Sequence, residues 1–553
     1  MEASQDGQVG LKQCLFFHWE GIVIIIMPIC FLIAMLTNDT QPYRCMYVII
    51  AMFIGWLTKI YPFAITSMFP VVAFPLMNIM TSDKTCSMYF KETLVMFVIT
   101  IMIALAMEYT KLHTRWAVIV IKFVGSSPRK LHLILIVLTA SLSMFVPNAA
   151  SVTLMYPLTK AILEQLSSQG MCELYEDNNP DIPKTAKRPS KIAICFYLSI
   201  AYASSMGGAG NLTGTSTNYV FLKIYEAKFP NNRDDIDFAY YLKYAFPPTV
   251  VYIGLMYLMM EFTYMGLFRS NSPEAKALQF SDDQKMAAQQ MANDKYEEIG
   301  SPSMEQCTVG TLIISMIFFI FFRQPEFITG WSSLVSGKEI LNASVATVVI
   351  YLIFSLPANF TFLKCWDVNS VGKTPGILTW KYVNSILPWE VVFFIGCGGA
   401  LAEACHASGL TELLGDSLSN LKNLPCPLSL LISIVLMEMF TNITVSSSVM
   451  SVIAPGILRL AVESERHPLY FMLPVGMAGS MAFLMPSATA PNALVSIFAN
   501  IRNKDLILAG IGPSIASIIT IFIFSQSWAV LMFPELMEFP NWINEIPVTT
   551  EAE

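Results

Sequence analysis

The sequence predicts an all-α polytopic membrane protein with eleven transmembrane helices and two re-entrant hairpins, arranged as two copies of one inverted unit. Three observations carry that prediction. Of 553 residues, 54% are hydrophobic and only 13% are charged, about half the charge fraction of an ordinary soluble domain. Apolar stretches long enough to cross a bilayer recur along the whole chain, so the excess is not one anchor. In each half, moreover, apolar stretches are interrupted by polar, turn-forming residues at corresponding points.

The spans follow in order. The N-terminal stretch MEASQDGQVGLKQCLFFHWE is polar and lacks the basic-then-apolar layout of a cleaved signal peptide. The first apolar run, 21–37, is therefore expected to be a retained span. Others follow at 44–61, 62–80, 92–112, 192–224, 243–265, 307–323, 341–357, 388–405, 469–500 and 506–533. Two more stretches, 131–164 and 426–460, are too long for one helix and are split by PNAAS (147–151) and TNITVSSS (441–448). A split stretch that enters and leaves on one side is tolerated only where protein buries its tip, so both read as re-entrant hairpins.

Basic residues set the orientation. With the N-terminus inside, the cytoplasmic segments hold Lys122, Arg129 and Lys130, then Lys184, Lys187, Arg188 and Lys191. They also hold Arg269, Lys276, Lys285 and Lys295, then Lys364 and Lys373, and finally Arg502 and Lys504. That distribution follows the positive-inside rule, and an odd span count places the C-terminus outside. The polar segments 165–190 and 268–306 read as charge-mixed connectors, with Asp282–Asp283 on a solvated face. A sequon at Asn38 lies in an outside loop and offers a glycosylation acceptor. Those at Asn211 and Asn442 lie at membrane depth and are read as incidental.

Composition also excludes classes. No basic patch supports a nucleic-acid partner. The eleven cysteines are scattered and mostly sit in apolar runs, where Cys acts as a small hydrophobe, so neither disulfides nor a metal are expected. No nucleophile–base pair, metal-ligand cluster or phosphate loop is present, so the chain is not read as an enzyme and needs no cofactor. His113, His132, His406 and His467 fall near span ends, where interfacial hydrogen bonding is the ordinary role. GCGGA (396–400) lies in a predicted span and reads as helix breaking or tight packing, not a nucleotide turn.

The internal echo is the most informative pattern. Asn148 precedes Pro157 by nine residues, and Ser446 precedes Pro455 by nine. Each hairpin is followed by an interrupted span, SSMGGAGNLTGTSTN (204–218) and LMPSATAPN (484–492). Both interruptions end in Thr-x-x-Asn, Thr215 to Asn218 and Thr489 to Asn492. Duplicated broken segments point to a midplane transport site. Residues 131–159, 192–222 and 467–501 hold no Asp, Glu, Lys or Arg, and 423–458 hold only Glu438. Such a lining binds with hydroxyls, amides, backbone N–H groups and half-helix N-termini, which suits an anion. Glu438, a lone acid at depth, is the candidate for proton coupling, against the plainer reading of a hydrogen-bonded carboxyl between helices.

These residues resemble the divalent anion/sodium symporter family, the di- and tricarboxylate transporters that include the INDY-type proteins of insects. The resemblance covers about residues 20–540 and is carried by SMFVPNAASVTLMYP, SSMGGAGNLTGT, ILPWEVVFFIGCGGALAEACHASGL, HPLYFMLPVG and MAFLMPSATAPNALV. It implies a homodimer in a lipid bilayer, each protomer with a scaffold and a transport domain that moves as an elevator. The parts would be a cytoplasmic N-terminus (1–20), scaffold (21–130 and 307–424), transport domain (131–266 and 425–540), a cytoplasmic loop (267–306) and a tail (541–553). Members carry succinate, citrate and related anions across the plasma membrane, many with sodium.

The family's hairpin tips bear Ser-Asn-Thr. Here the first reads Pro147-Asn148-Ala149 and the second Val445-Ser446-Ser447. The resemblance implies substrate contacts at Asn148, Ala149, Ser446 and Ser447, with Thr215, Asn218, Thr489 and Asn492 from the breaks. Weak sodium sites would fall near Asn148, Gly208, Ser446 and Ala488. The tips have lost side-chain oxygens that a hard cation wants, so cation-independent or exchange transport is expected. Alternatives are a proton- or sodium-coupled carrier of another organic anion, and a non-transporting receptor or scaffold relative.

Overall fold

The computed structural model describes residues 21–543, except 27–28, 31–32, 34–39, 59, 177–186, 213, 230–237, 270, 273–274, 277, 279–281, 324–329, 336–341, 358–375 and 541–542. Much of the first predicted span, the Asn38 sequon, Lys184, Lys364 and Lys373 thus lie outside the described residues. Elsewhere the chain is helical, with two isolated β-bridges, Tyr175 to Pro189 and Pro357 to Gly376, among the described residues.

The first half contains α1 (Gln41–Thr58), α2 (Phe63–Leu76), α3 (Ser82–Met88), α4 (Glu92–Tyr109), α5 (Leu112–Val124), α6 (Pro128–Ser143), α7 (Asn148–Ser168), α8 (Lys191–Ala209), α9 (Ser216–Lys228) and α10 (Phe238–Tyr264). The second contains α11 (Asp282–Ile299), α12 (Met304–Phe321), α13 (Asn342–Ser355), α14 (Trp380–Ile386), α15 (Trp389–Ala407), α16 (Leu410–Ser419), α17 (Cys426–Thr441), α18 (Ser446–Glu463), α19 (Pro468–Ala478), α20 (Ala490–Phe498) and α21 (Asn503–Gln526). Five described helices are long and apolar enough to cross a membrane: Lys191–Ala209, Tyr240–Tyr264, Met304–Phe321, Trp389–Ala407 and Asn503–Met532. The predicted spans 192–224 and 469–500 are each divided, into α8 with α9 and α19 with α20.

The duplication is geometric as well as textual. A shift of 298 residues carries α6 onto α17, the first residue of α7 onto the first of α18, and Pro157 onto Pro455. It also carries one corner onto another. Between α4 and α5 the chain turns by 74°, pivoting on Lys111 in the left-handed region at φ 56°. Between α15 and α16 it turns on Gly409, at φ 72°. After the helix pairs a shift of 274 takes over, carrying Thr215 and Asn218 onto Thr489 and Asn492.

Packing crosses the two halves. The half-helix α9 lies against α18, and α20 lies against α7 and α8. The long helices α10 and α21 also pack on each other. The connector 268–306 adds a helix of its own, α11, which packs on α5. Arg115 of α5 donates to the carbonyls of Ile299, Gly300 and Ser301 at 2.8–3.1 Å, and to Gln306 Oε1 at 2.9 Å. Lys122 sits 3.6 Å from the centre of the Tyr296 ring.

The GCGGA segment is tight packing, and the helix through it is unbroken. A Cβ on Gly396 would come 2.8 Å from Tyr89 O, one on Gly399 2.8 Å from Met88 O, and one on Gly398 2.9 Å from the Val445 side chain. Without side chains there, the turn before α18 docks on α15, where Ser448 Oγ donates to Gly398 O at 2.6 Å.

Candidate functional site

Each break is an unwound strip of backbone whose carbonyls lose their helical partners, and buried carbonyls must find others. Two asparagines supply them in the same way. Asn218 Nδ2 donates to Asn211 O at 2.8 Å and Gly208 O at 3.4 Å, seven and ten residues back. Asn492 Nδ2 donates to Met485 O at 3.3 Å and Ala482 O at 2.9 Å, again seven and ten residues back. Both asparagines are fully buried. The carboxamide nitrogens of these expected substrate contacts are therefore spent inside the breaks. Their Oδ1 atoms, with that of Asn211, have no partner among the described residues.

Tyrosines from other helices complete the set. Tyr241 donates to Ala209 O at 3.2 Å, Tyr252 to Met206 O at 3.0 Å, and Tyr202 to Phe483 O at 3.1 Å. Each turn is tied to its break by another asparagine, in opposite senses. Asn211, in the first break, donates to Met144 O in the turn at 2.7 Å. Asn442, in the second turn, accepts from Phe483 N at 2.9 Å and Leu484 N at 2.8 Å in the break. Both sequon asparagines at depth are thus buried and internally bonded.

What the breaks leave open is donors. Helices α7, α9, α18 and α20 all begin at these turns and breaks, and a helix's first amides have no intrahelical acceptor. Those of Asn148, Ala149, Ser216, Thr217, Ser447 and Ala490 have no backbone partner among the described residues. Cross-packing brings the two halves together here. A Cβ on Gly479, at the end of α19, would meet Met450 of α18 at 2.6 Å and Thr217 of α9 at 3.0 Å. Asn148, Ala149, Thr215, Ser447 and Thr489 are half-buried, whereas Gly208, Asn218, Ser446, Ala488 and Asn492 are buried. Among the described residues expected at the site, those with access offer two threonines, one serine, one carboxamide and backbone N–H, and the segments that form it contain no lysine or arginine.

Glu438 lies in α17, 2% exposed. Ser517 of α21 donates to its carboxyl at 3.1 and 3.2 Å, and it forms no ion pair among the described residues. Sequence reasoning missed a second buried acid, in the first half. Glu261 of α10 is fully buried, with Oε1 2.9 Å from His132 Nδ1 and Oε2 3.3 Å from Arg129 Nε. His132 Nε2 in turn lies 2.8 Å from Ser199 Oγ. His132 is therefore a buried strut between α6, α8 and α10, and does not sit at an interface. The signal was available: an acid inside the apolar run 243–265 merits the attention Glu438 received.

Residues 15–534 match the family described as the sodium:sulfate symporter transmembrane region. The chain belongs to this sodium:sulfate symporter family. It is 41% identical over 559 residues to "Protein I'm not dead yet" of Drosophila melanogaster, covering 98% of this chain and 94% of that one. It is 30% identical to the Na(+)/citrate cotransporter of Mus musculus, over 98% and 99% of the two chains. With solute carrier family 13 member 2 of Rattus norvegicus the identity is 33%, over 94% of both. As a sodium:sulfate symporter family member the chain is a membrane transporter and not an enzyme.

The family name raises the question of sodium, which needs several oxygens facing one point with no hydrogen between them. With the Asn148 nitrogen turned inward, the tips of this symporter-family chain do not fit that need. Beside the first tip Ser143 Oγ donates to Ser204 O at 2.7 Å. With its oxygen inward the Asn148 carboxamide accepts from Ser143 Oγ at 2.8 Å but otherwise faces acceptors; with its nitrogen inward it donates to Ser143 Oγ at 2.8 Å, Ser204 O at 3.2 Å and Gly214 O at 3.3 Å. At the second tip Ser446 N and Ser446 Oγ both donate to Ala488 O at 3.3 Å. Ser487 Oγ donates to Ile443 O at 3.1 Å.

Proposed function

We propose that the chain carries di- and tricarboxylates, citrate and succinate among them, across the plasma membrane, without a sodium requirement and by facilitated or exchange transport. The single observation behind this reading is the polarity of the breaks. Their carbonyls are largely satisfied from within by Asn218, Asn492, Tyr202, Tyr241 and Tyr252, while four helix N-termini keep free amides. Free amides with the positive ends of helix dipoles attract carboxylates. No lysine or arginine holds the anion too firmly to leave. The names of the relatives, a Na(+)/citrate cotransporter and a Na(+)/dicarboxylate cotransporter 3 of Homo sapiens, point to the same ligand class. Asn148 and Ala149 would contact the anion through their backbone N–H groups, Thr215, Ser447 and Thr489 would contact or position it, and Ser446, Asn218 and Asn492 would hold the tip and breaks that present it.

In this reading 131–266 and 425–540 move together as the transport domain of a homodimer, against a scaffold of 21–130 and 307–424, with the N-terminus cytoplasmic and the C-terminus outside. Proteoliposomes holding the purified chain should take up labelled citrate and succinate at similar rates in sodium and in choline. Absence of uptake of either anion, with or without internal counter-anion, sinks the substrate assignment.

A second reading, proton-coupled carriage of another organic anion, is favoured by Glu438, whose carboxyl faces the Ser517 hydroxyl at depth. A glutamine there keeps an oxygen for Ser517 and cannot titrate. Glu438→Gln should then fold normally yet flatten the dependence of uptake on external pH. An identical pH profile in the variant removes this reading.

A further inference from the structure

We propose that hydrogen-bond donors of the chain itself occupy the two places where a coupling cation would sit, so that the Asn148 amide and the Ser446 donors replace sodium as the link between tip and break. The proposal deepens the cation-independent reading above and rests on it only for the uptake arm of its test.

The argument starts from the repeat. Asn148 and Ser446 are equivalent under the shift of 298, and Gly214 and Ala488 are equivalent under the shift of 274. With the Asn148 nitrogen inward, the tip residue of each half donates to the equivalent break carbonyl, Asn148 to Gly214 O and Ser446 to Ala488 O, each at 3.3 Å. The chemistry differs, since one donor is a carboxamide and the other a hydroxyl with its own backbone N–H. The outcome is the same: positive hydrogen points at a carbonyl from the tip.

In the first half the replacement is nearly complete. Three oxygens, Ser143 Oγ, Ser204 O and Gly214 O, surround one nitrogen. With that nitrogen inward, the Ser143 hydroxyl proton goes to Ser204 O and its lone pairs face Asn148. A cation bound among these oxygens would have to turn the carboxamide over and displace two N–H donors. The glycines let the backbones close in on the tip: a Cβ on Gly208 would lie 2.0 Å from the carboxamide, and one on Gly214 would lie 2.6 Å from Gly208 O. In the second half Ala488 O takes two donors and Ile443 O a third, so the carbonyls a cation would need are engaged there too.

A tip held by its own donors is closed before any ion arrives. In a cation-coupled carrier the empty tip lacks that link until the ion binds. Here the unloaded tip already has it, so the unloaded carrier is competent to return.

The test compares sodium with choline on two readouts. In the absence of any organic anion, the thermal midpoint of the purified wild-type chain should be the same in sodium chloride and choline chloride. Asn148→Asp exchanges the donating nitrogen for an oxygen and leaves the four-oxygen cage open to a cation. Its midpoint should rise by several degrees in sodium over choline. If that variant does not fold, Ser446→Asn, which adds a carboxamide oxygen at the second tip, is read the same way. A sodium-dependent rise in the wild type overturns the proposal, as does sodium insensitivity of whichever folded variant is read. In proteoliposomes loaded with wild type, citrate should also enter vesicles that contain no counter-anion, and strict dependence on internal anion overturns the return of the empty carrier. Failure of all citrate and succinate uptake, by contrast, strikes the proposed substrate and leaves the midpoint comparison standing.

Discussion

Gly207→Ala is expected to abolish the folded transporter, with loss of monodisperse protein and of uptake together. A Cβ at this position would lie 2.3 Å from Ala140 O, 2.7 Å from Ala140 Cα and 2.8 Å from Ala140 C. All three are backbone atoms of α6, so no side chain can swing aside. Relief requires α6 and α8 to part, and those helices share one of the most extensive contacts in the molecule. Overpacking of this kind costs about 1–3 kcal/mol when neighbours can adjust, and here they cannot do so without opening the first break. Gly254→Ala is the control. That glycine lies in α10 with nothing within 4 Å of its ideal Cβ, and alanine in an open helical position stabilises by roughly 0.5–1 kcal/mol. Comparable thermal midpoints for the two variants would refute the packing argument.

The second large effect belongs to the paired asparagines. Asn218→Ala and Asn492→Ala each remove two hydrogen bonds to buried carbonyls; Gly208 O and Ala482 O lose their donor, while Asn211 O and Met485 O keep only Gly214 N at 3.3 Å and Ala488 N at 3.2 Å. An unsatisfied buried polar group costs about 1–3 kcal/mol and a lost hydrogen bond about 0.5–1.5 kcal/mol, so each variant should lose roughly 1.5–4 kcal/mol, allowing for incomplete additivity. Aspartate makes the sharper test. It matches asparagine in shape, yet a carboxylate donates nothing and sets oxygen against oxygen. Asn218→Asp and Asn492→Asp should be no more stable than the alanine variants. A midpoint near wild type in either aspartate variant would mean that shape, and not donation, holds the break.

Much of this was legible in the residues. Hydropathy and length located the helices, because a bilayer demands long apolar runs. The Thr-x-x-Asn echoes located the breaks to the residue, since Thr215 and Thr489 are the N-caps of α9 and α20, with φ −137° and −143°. What stayed hidden depends on partners distant in sequence. Nothing around Tyr202 announces that its hydroxyl reaches Phe483, a residue 281 positions away. Asn218 read as a ligand group because a carboxamide looks the same whether it faces an anion or its own chain. The amphipathic arms α5 and α16 are too short and too polar on one side to register as spans. The glycines of 396–399 suggested either a break or close packing, and only the positions of Tyr89, Met88 and Val445 decide between them.

The two corners before those arms have a mechanical consequence. At Gly409 the left-handed conformation costs glycine almost nothing, and a broad range of neighbouring angles is equally open. At Lys111 the same conformation strains a residue with a Cβ by about 1–2 kcal/mol and confines it to a narrow well. Arg115 then fastens the next turn of that arm to the end of α11. The duplicated joints are thus unequal springs, one slack and one stiff. Any rotation shared between them will be absorbed first at Gly409, so the two halves of a symmetric plan will not yield in step.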